Sequence, residues 1–225
     1  MDMRKWLPMY DSICGEFGFD KGRDVQSASL LADILKSRGV AGLASVKGKV
    51  PRTVVVCGGS ASLRDEVSSM SVEGYVVSAD SATSALLEAG LEPHMIVTDL
   101  DGIVEDQVDL NAKGVPVFVH AHGDNQQAIR CYVPRFSGTV IGTCQCPPPE
   151  GLYNFGGFTD GDRAACICAA LGAREIQLVG FDFDNPSDKS GKRRDVKRRK
   201  LVWAKRILDE LSSEGVRIRR LNADV

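Results

Sequence analysis

The sequence lacks several features that would assign it to a broad class at once. No apolar run reaches the roughly 18 residues of a membrane-spanning helix. The first residues, Met1 to Trp6, have no apolar core of the kind found in signal peptides, so we expect a cytoplasmic protein. The net charge is only −2, which gives no indication of binding to nucleic acid or a membrane surface. Internal repeats and low-complexity tracts are absent as well.

A complete disulfide framework is also excluded, because the sequence has seven cysteines, an odd number. Two pairs have chelating spacing, Cys144 with Cys146 and Cys166 with Cys168. The second pair falls in a predicted helix, where residues i and i+2 point to different faces, so we expect these cysteines to serve as small apolar residues. One or two disulfides stay open as an alternative.

The 225 residues, 43% of them hydrophobic, are enough for one large domain. Helical spacing of Trp6, Met9, Ile13 and Phe17 predicts a first helix, and a second is predicted over residues 24–37. From Thr53 onward, short β-branched runs alternate with helical stretches, which is typical of βαβ units. We therefore predict an N-terminal helical extension over residues 1–50 and an α/β domain over residues 51–225.

The predicted α/β domain is doubly wound and Rossmann-like, with a mostly parallel sheet of about seven strands. Strands are predicted at residues 53–57, 75–78, 95–98, 115–120, 139–142, 176–180 and 216–221. Helices are predicted between them at residues 61–70, 81–89, 105–112, 125–133, 161–171 and 195–213.

The most informative stretch is a short apolar run that leads directly into two carboxylates. Met95, Ile96 and Val97 suit a parallel strand covered on both faces. Asp99 and Asp101 follow at its carboxyl end, the edge at which open α/β sheets bind ligands. Carboxylate oxygens at such an edge suit Mg²⁺, which takes one or two carboxylates together with substrate phosphates. Ordinary loop and capping aspartates are the alternative interpretation.

The first predicted strand ends in a glycine turn that contains Gly58, Gly59, Ser60 and Ser62. Glycine permits close approach of a ligand and the next helix offers free N–H groups, so this turn predicts contact with phosphate or ribose. It is neither a Walker loop nor a complete dinucleotide fingerprint, and a tight strand–helix turn is the alternative. Asp80 ends the second strand and is predicted to hold a ribose hydroxyl or to cap the next helix.

Histidine is scarce, yet two of the three histidines fall in one motif at the end of the fourth predicted strand. His120, His122, Asp124 and Asn125 crowd this terminus, at the same predicted sheet edge as Asp99. The histidines and Asn125 are predicted to contact substrate or phosphate, and Asp124 to bind metal or cap a helix. Zinc binding by the His-X-His pair is the alternative, because alternate strand residues share a face.

Further acids lie near the end of the predicted domain. Asp160 and Asp162 open a helix and Asp182 follows the sixth strand, where either capping or substrate contact explains them. A basic run over residues 189–200 follows, and its charges include Lys192, Arg193, Lys197 and Lys200. We interpret it as a lid over polyphosphate, because it directly follows acids at the proposed metal edge; a solvated helix face is the alternative.

Together these motifs resemble the archaeal 6-hydroxymethyl-7,8-dihydropterin pyrophosphokinase (MptE-like) family and, more remotely, the catalytic domain of thiamin pyrophosphokinase. The resemblance covers residues ~50–215 and is carried by the stretches 57–63, 79–82, 90–93, 98–102, 120–125, 158–164 and 179–183. Asp-Leu-Asp-Gly at 99–102 and His-Gly-Asp-Asn at 122–125 are the most specific parts, because they occur in order at plausible spacing.

The resemblance implies Mg²⁺-dependent transfer of diphosphate from ATP to the hydroxymethyl group of a dihydropterin, with release of AMP. It implies that Asp99, Asp101 and Asp124 hold the metal, and that the glycine turn, Asp80 and the lysines of the basic run bind ATP. Asp160 and Asp182 would read the pterin edge, and the general base would come from His120, His122 and Asp124. ATP and a dihydropterin are then the expected partners, with no nucleic acid.

Two other functional classes stay open from the sequence. A nucleotide-sugar glycosyltransferase also uses an Asp-X-Asp element to hold a divalent metal under a diphosphate. A nucleotide-binding regulatory module would bind ATP without turnover, and it would tolerate the loss of Asp101. The N-terminal helices either cap the sheet or form a homodimer contact.

Overall fold

A computed structural model describes residues 1–38, 42–70, 72–183 and 194–221. Seven parallel strands form one sheet in the order β5-β4-β3-β2-β1-β6-β7. The strands are β1 Thr53–Cys57, β2 Tyr75–Ala79, β3 Met95–Thr98, β4 Val117–Ala121, β5 Val140–Cys144, β6 Glu175–Val179 and β7 Arg217–Arg220. The predicted α/β fold with about seven strands is therefore confirmed, and the described sheet is parallel throughout.

The helices flank and connect these strands. They are α1 Met3–Phe17, α2 Lys21–Arg38, α3 Leu63–Ser69, α4 Ala82–Glu88, α5 Val104–Ala112, α6 Gln126–Tyr132, α7 Asp160–Ala170 and α8 Arg194–Ser213. Short 3₁₀ turns at Leu43–Ser45 and Val133–Arg135 were not predicted from the sequence.

Two strand boundaries differ from the prediction for identifiable reasons. Strand β4 begins at Val117 rather than at residue 115, because Pro116 has no N–H to donate to a neighbouring strand. Strand β5 runs on to Cys144, two residues beyond the predicted end. There the following loop returns beside the strand, and Cys144 N donates to the carbonyl of Tyr153 at 3.0 Å.

Alternate residues of the central strand face two apolar clusters, as the period of two in a strand requires. Val54 and Val56 belong to the larger cluster, which also contains Trp6 of α1 and Leu31 of α2. Val55 and Cys57 face a smaller cluster with α3 and α4. The N-terminal helices thus pack into the main core, whereas the division at residue 50 stays a prediction.

All seven cysteines are free thiols, and six of them are buried. The four cysteines that were interpreted as small apolar residues, Cys144, Cys146, Cys166 and Cys168, are among the buried ones. Within the described ranges, no helix combines the length and apolarity needed to cross a membrane.

The strand order reverses between β1 and β6, the point at which doubly wound sheets open a crevice beyond their carboxyl edge. The chain builds β1 to β5 outward in one direction and then returns to place β6 on the other side of β1. Strand β2 pairs with β1 on the side away from β6, and β3 pairs with β2, so the acids that follow these two strands lie at the same carboxyl edge as the crevice. In their register Ser78 lies opposite Ile96 and Ala79 opposite Val97.

Candidate active site

Three carboxylates converge at the carboxyl edge of β2 and β3. Among the described residues, Asp80, Asp99 and Asp101 offer ligand oxygens that all lie within 4.8 Å of one another. Asp99 and Asp101 were predicted together, whereas Asp80 was predicted to hold a ribose hydroxyl or to cap the next helix. We call these three residues the acid cluster. Hard oxygen donors in such a group suit Mg²⁺.

Asp80 is the buried member of the acid cluster and is held from several sides. Its Oδ1 accepts hydrogen bonds from Thr98 Oγ1 at 2.7 Å and Gln107 Nε2 at 3.2 Å, with Gly102 N at 3.3 Å. Its backbone has a φ of 43°, a left-handed conformation that is uncommon for residues other than glycine but tolerated by Asp. The carboxylate is thus fixed by the surrounding structure rather than by its own flexibility.

Burial and the negative charges of Asp99 and Asp101 raise the pKa of Asp80 to about 7. Like charges that share a site disfavour the ionised form, and burial acts in the same direction. A cation placed among these carboxylates would remove that penalty. The electrostatics therefore point to a site for positive charge.

The turn between Asp99 and Asp101 is also under conformational constraint. Leu100 has a φ of 68°, which costs free energy for a residue with a branched side chain. Its N–H donates to Thr98 Oγ1 at 2.9 Å, and that hydroxyl in turn donates to Asp80. Thr98 thus links the backbone between Asp99 and Asp101 to the carboxylate of Asp80.

A fourth carboxylate, Asp160, faces the acid cluster from the start of α7. Burial and the charge of Asp99 raise the pKa of Asp160, although the Arg163 guanidinium opposes that shift. Arg163 is itself buried and donates from Nη1 to Asp160 at 2.8 Å and from Nη2 to the Phe158 carbonyl at 2.9 Å. This arginine was not singled out from the sequence, because its role depends on burial.

The two histidines of the β4 motif differ in their surroundings. His120 is buried, and its Nδ1 lies 3.0 Å from Thr143 Oγ1. Burial, with the nearby Arg163 charge and His122, lowers the pKa of His120 well below its ordinary value, so this imidazole is neutral. His122 is partly exposed, and its Nε2 lies 3.4 Å from Asp99 Oδ2. The structure thus brings His122 to the acid cluster.

Asn125 and Asp124 occupy different places within the same loop. Asn125 is buried, and its Nδ2 donates to the carbonyls of Asp99 at 2.9 Å and His120 at 2.7 Å. Asp124 has a side chain that is 69% exposed and an Oδ1 that lies 3.3 Å from Arg23 Nη1. Asp124 is therefore not among the three acids brought together, and its predicted metal contact stays a prediction.

Two backbone N–H groups of the glycine turn after β1 donate hydrogen bonds to the segment at the end of β6. Gly58 N donates to the Val179 carbonyl at 2.9 Å and Ser60 N to the Gly180 carbonyl at 3.1 Å. A Cβ at Gly58 would lie 2.8 Å from the Gly180 oxygen, so close packing of two chain segments explains this glycine. The Ser62 hydroxyl donates to Glu66 Oε1 at 2.5 Å.

A groove of about 640 Å³ runs from the acid cluster between the glycine turn and α4. Asp101, Gly102 and Ile103 form its end at the acid cluster, and an ion pair of Arg64 with Glu88 borders it as well. Gly59, Ser60, Ala61, Leu63, Ser81, Ser84 and Ala85 complete its lining. The groove is large enough for a nucleoside or another bicyclic ligand.

The remaining predicted residues lie farther along the chain. Asp162 is buried in a capping box, where its carboxylate accepts from Phe158 N at 2.6 Å and Thr159 N at 2.8 Å. Lys200 of α8 lies over the Phe158 ring, 5.4 Å from its centroid. Asp182 follows β6 and Lys197 lies in α8, whereas Lys192 and Arg193 lie outside the described residues.

The family described as 6-hydroxymethylpterin diphosphokinase MptE-like matches residues 28–188. The chain is 42% identical to the 6-hydroxymethyl-7,8-dihydropterin pyrophosphokinase of Methanothermobacter thermautotrophicus, over 98% of this chain and 100% of that protein. A relative of the same name from Pyrococcus furiosus is 39% identical, with 96% of each chain covered.

Two solved structures resemble the chain at lower identity. A probable thiamine pyrophosphokinase from Staphylococcus saprophyticus has a TM-score of 0.42 and 17% identity over 76% of this chain and 65% of that one. The MAf glycosyltransferase from Magnetospirillum magneticum has a TM-score of 0.50 and 15% identity, over 76% of this chain and 34% of that one. At such identity the likeness to the glycosyltransferase is one of fold alone.

Proposed function

Because this chain belongs to the MptE-like family of 6-hydroxymethylpterin diphosphokinases, we propose that it transfers diphosphate from ATP to the hydroxymethyl group of 6-hydroxymethyl-7,8-dihydropterin. The products are the pterin diphosphate and AMP, and the reaction depends on Mg²⁺. The acid cluster of Asp80, Asp99 and Asp101 is the observation that carries this proposal. Phosphoryl-type transfer needs positioning and charge neutralisation more than covalent chemistry, and convergent carboxylates provide a cation site for both.

The donor set of the acid cluster fits Mg²⁺. Its oxygens are of the hard type that this ion prefers, and the raised pKa of Asp80 reflects a repulsion that a divalent cation would relieve. Asp80, Asp99 and Asp101 would hold the ion, which when bound neutralises charge on the transferred diphosphate. Thr98 and Gln107 keep the Asp80 carboxylate aimed at this position through their hydrogen bonds.

His122 supplies the proton acceptor in this proposal. The hydroxymethyl oxygen attacks the β-phosphorus of ATP, the bond from that phosphorus to the α–β bridging oxygen breaks, and AMP leaves with the bridging oxygen. The hydroxyl proton passes to His122, whose Nε2 lies 3.4 Å from Asp99. A carboxylate beside an imidazole stabilises the protonated ring that this transfer produces.

The two substrates approach the acid cluster from different sides in this proposal. The groove lined by Gly59, Ser60 and Asp101 takes the nucleoside of ATP. Gly58, Ser62 and Asp80 adjoin these lining residues in the sequence and support that side. The pterin lies toward α7, where Asp160 can accept from its adjacent N–H donors. Asp162, Asp182, Asn125 and His120 support that side, and Lys197 and Lys200 of α8, with Lys192, neutralise the outer phosphates.

The deciding experiment combines the substrates with a pair of matched variants. The protein is incubated with ATP, Mg²⁺ and 6-hydroxymethyl-7,8-dihydropterin, and AMP, ADP and pterin diphosphate are separated. We expect AMP and pterin diphosphate in equal amounts, abolished by EDTA. Asp101→Asn should reduce turnover by at least about 100-fold, because it removes a charge next to the transferred group.

Asp124→Asn is the control, because it makes the same chemical change in the same sheet edge but outside the acid cluster. We expect its turnover to stay within about threefold of the original chain. An equal loss in both variants would instead favour Asp124 as a metal ligand. ADP as the only nucleotide product would contradict diphosphate transfer, and ATP binding without any product would favour a regulatory module.

A further inference from the structure

A buried carboxylate on α2 has no part in the proposed reaction. Asp24 is 2% exposed, and its two oxygens accept three hydrogen bonds from three separate parts of the chain. Tyr10 Oη of α1 donates to Oδ2 at 2.6 Å, and Gln145 Nε2 from the loop after β5 donates to the same oxygen at 2.8 Å. Gly123 N from the loop after β4 donates to Oδ1 at 2.7 Å.

Contacts on both sides of the Gly123 amide hold this loop against α2. A Cβ at Gly123 would lie 2.9 Å from Arg23 Cβ, so the loop approaches the helix as closely as a glycine allows. Arg23 also pairs with Asp124 at 3.3 Å on the exposed side. The partly buried bond to Asp24 is stronger than the exposed ion pair, because a carboxylate acceptor binds an N–H strongly and water competes less at a partly buried position.

His122, just before Gly123, and Asn125, two residues after it, both contact Asp99 of the acid cluster. His122 places Nε2 3.4 Å from the Asp99 carboxylate. Asn125 donates to the Asp99 carbonyl at 2.9 Å and accepts from His122 N at 3.0 Å. A displacement of the Gly123 amide would therefore move the imidazole and loosen the backbone of Asp99 together.

We propose that Asp24 is a positioning residue for the active site, which acts by fixing the Gly123 amide so that His122 and Asn125 meet Asp99. The N-terminal helices then position active-site residues in addition to packing against the sheet. A displacement of about 1 Å at a reacting group can reduce turnover about 100-fold, so a single distant carboxylate can matter this much. The activity consequence rests on the proposed function, whereas the geometric consequence does not.

The test compares Asp24→Asn with Ser27→Ala in the full chain. Ser27 is a buried polar residue one turn along the same helix, and its hydroxyl donates to the Arg23 carbonyl at 2.9 Å within α2. For Asp24→Asn we expect kcat to fall about 10–100-fold, with the KM for ATP within about threefold, because the groove does not contact α2. Ser27→Ala should leave both constants near their original values.

A second readout is independent of activity. The chain has three histidines, so the imidazole Cε1–H resonance of His122 can be assigned by NMR with His122→Gln. In metal-free protein we expect Asp24→Asn to shift this resonance and the Gly123 amide resonance, and Ser27→Ala to leave both in place. A purely structural role would lower the unfolding temperature in both variants without separating them in this way.

Tyr10→Phe keeps the test decisive if Asp24→Asn does not fold. It removes one donor to Asp24 but retains the carboxylate and its bond to Gly123, so we expect the same shifts at smaller amplitude and a kcat loss of only a few fold. Unmoved His122 and Gly123 resonances in a folded Asp24→Asn or Tyr10→Phe protein would overturn the proposal. Absence of turnover in the original chain would overturn the proposed function and leave the NMR test standing.

Discussion

At the scale of single residues, the main feature of the acid cluster is the Asp80 carboxylate, whose ionised form is unfavourable in its surroundings. Asp80 is buried beside Asp99 and Asp101, and its pKa is raised to about 7. The hydrogen bonds from Thr98 and Gln107 compensate only part of this cost, because the raised pKa remains. A buried carboxylate whose ionisation costs free energy marks a candidate functional position.

We predict that Asp80→Asn stabilises the metal-free protein at about pH 8, and that the gain shrinks as the pH falls toward about 4. The folded protein holds a proton on Asp80 up to about pH 7, whereas an unfolded chain releases it near pH 3.9. Ionisation therefore costs folding free energy progressively across this window, and the whole cost is present above it. The expected gain is on the order of a few kcal/mol.

Urea unfolding in EDTA between about pH 4.5 and pH 8 measures this effect. Asp33→Asn, an exposed change on α2, is the control and should alter stability little at any pH. A gain in Asp80→Asn that does not vary with pH would contradict the electrostatic explanation. Asparagine tolerates the left-handed backbone at this position, so conformational strain does not confound the comparison.

Asp99 and Asp101 can be assigned to the acid cluster from the sequence more easily than Asp80 can. Asp99 and Asp101 follow one apolar strand, so their placement at a sheet edge could be inferred locally. Asp80 precedes Asp99 by 19 positions, and it reaches the cluster only because β2 and β3 are neighbours in a particular register. The sequence does not indicate that Asp24 is buried, because a single aspartate in a helix is normally exposed.

At the scale of secondary-structure elements, the turn after β3 is fitted closely around Asp80. A Cβ at Gly102 would lie 2.6 Å from Asp80 Oδ2 and 3.1 Å from Oδ1. Asp80 cannot easily yield, because Thr98 and Gln107 hold its other oxygen. The glycine is therefore required by the neighbouring carboxylate.

We predict that Gly102→Ala weakens binding of Mn²⁺, used as a probe for Mg²⁺, by about 10–100-fold, because it displaces a ligand. Electron paramagnetic resonance titration measures the free Mn²⁺. Gly15→Ala in α1 is the control, because a Cβ there meets nothing within 4 Å. It should leave Mn²⁺ binding unchanged and stabilise the helix by about 0.5–1 kcal/mol. Equal Mn²⁺ affinity in both variants would contradict the assignment of Asp80 to the metal site.

Elements were easier to predict than their arrangement. β-branched runs identify each strand and helical periodicity identifies the segments between, and the resulting α/β fold is confirmed. Right-handed crossovers restrict the topology, but they do not fix which edge each new strand joins. The placement of β6 beside β1 rather than beyond β5 creates the crevice, and it depends on tertiary packing that no local pattern reveals.

At the scale of the whole molecule, the N-terminal helices and the sheet share one core. Trp6, Tyr10 and Ile13 of α1 and Leu31 of α2 are buried in the same cluster as the central strands. Trp6 Nε1 also donates to the Gln145 carbonyl at 3.0 Å, in the loop that reaches Asp24. The helices thus contribute both apolar packing and the polar contacts that support the loops of the candidate active site.

We predict that residues 51–225 alone do not form a cooperatively folded domain. Four buried side chains of this size contribute roughly 6–12 kcal/mol, which is comparable to the ~5–15 kcal/mol that stabilises a typical domain. The truncated protein should bind the dye ANS and should show no sharp thermal transition in circular dichroism. Trp6→Ala in the full chain should keep a cooperative transition, with a free energy of unfolding lower by about 3–5 kcal/mol. A sharp transition in the truncated protein, at the midpoint of the full chain, would show that residues 1–50 are a separable extension. The sheet alone would then support the candidate active site. The role proposed for Asp24 would have to be tested in a protein whose fold does not depend on α2.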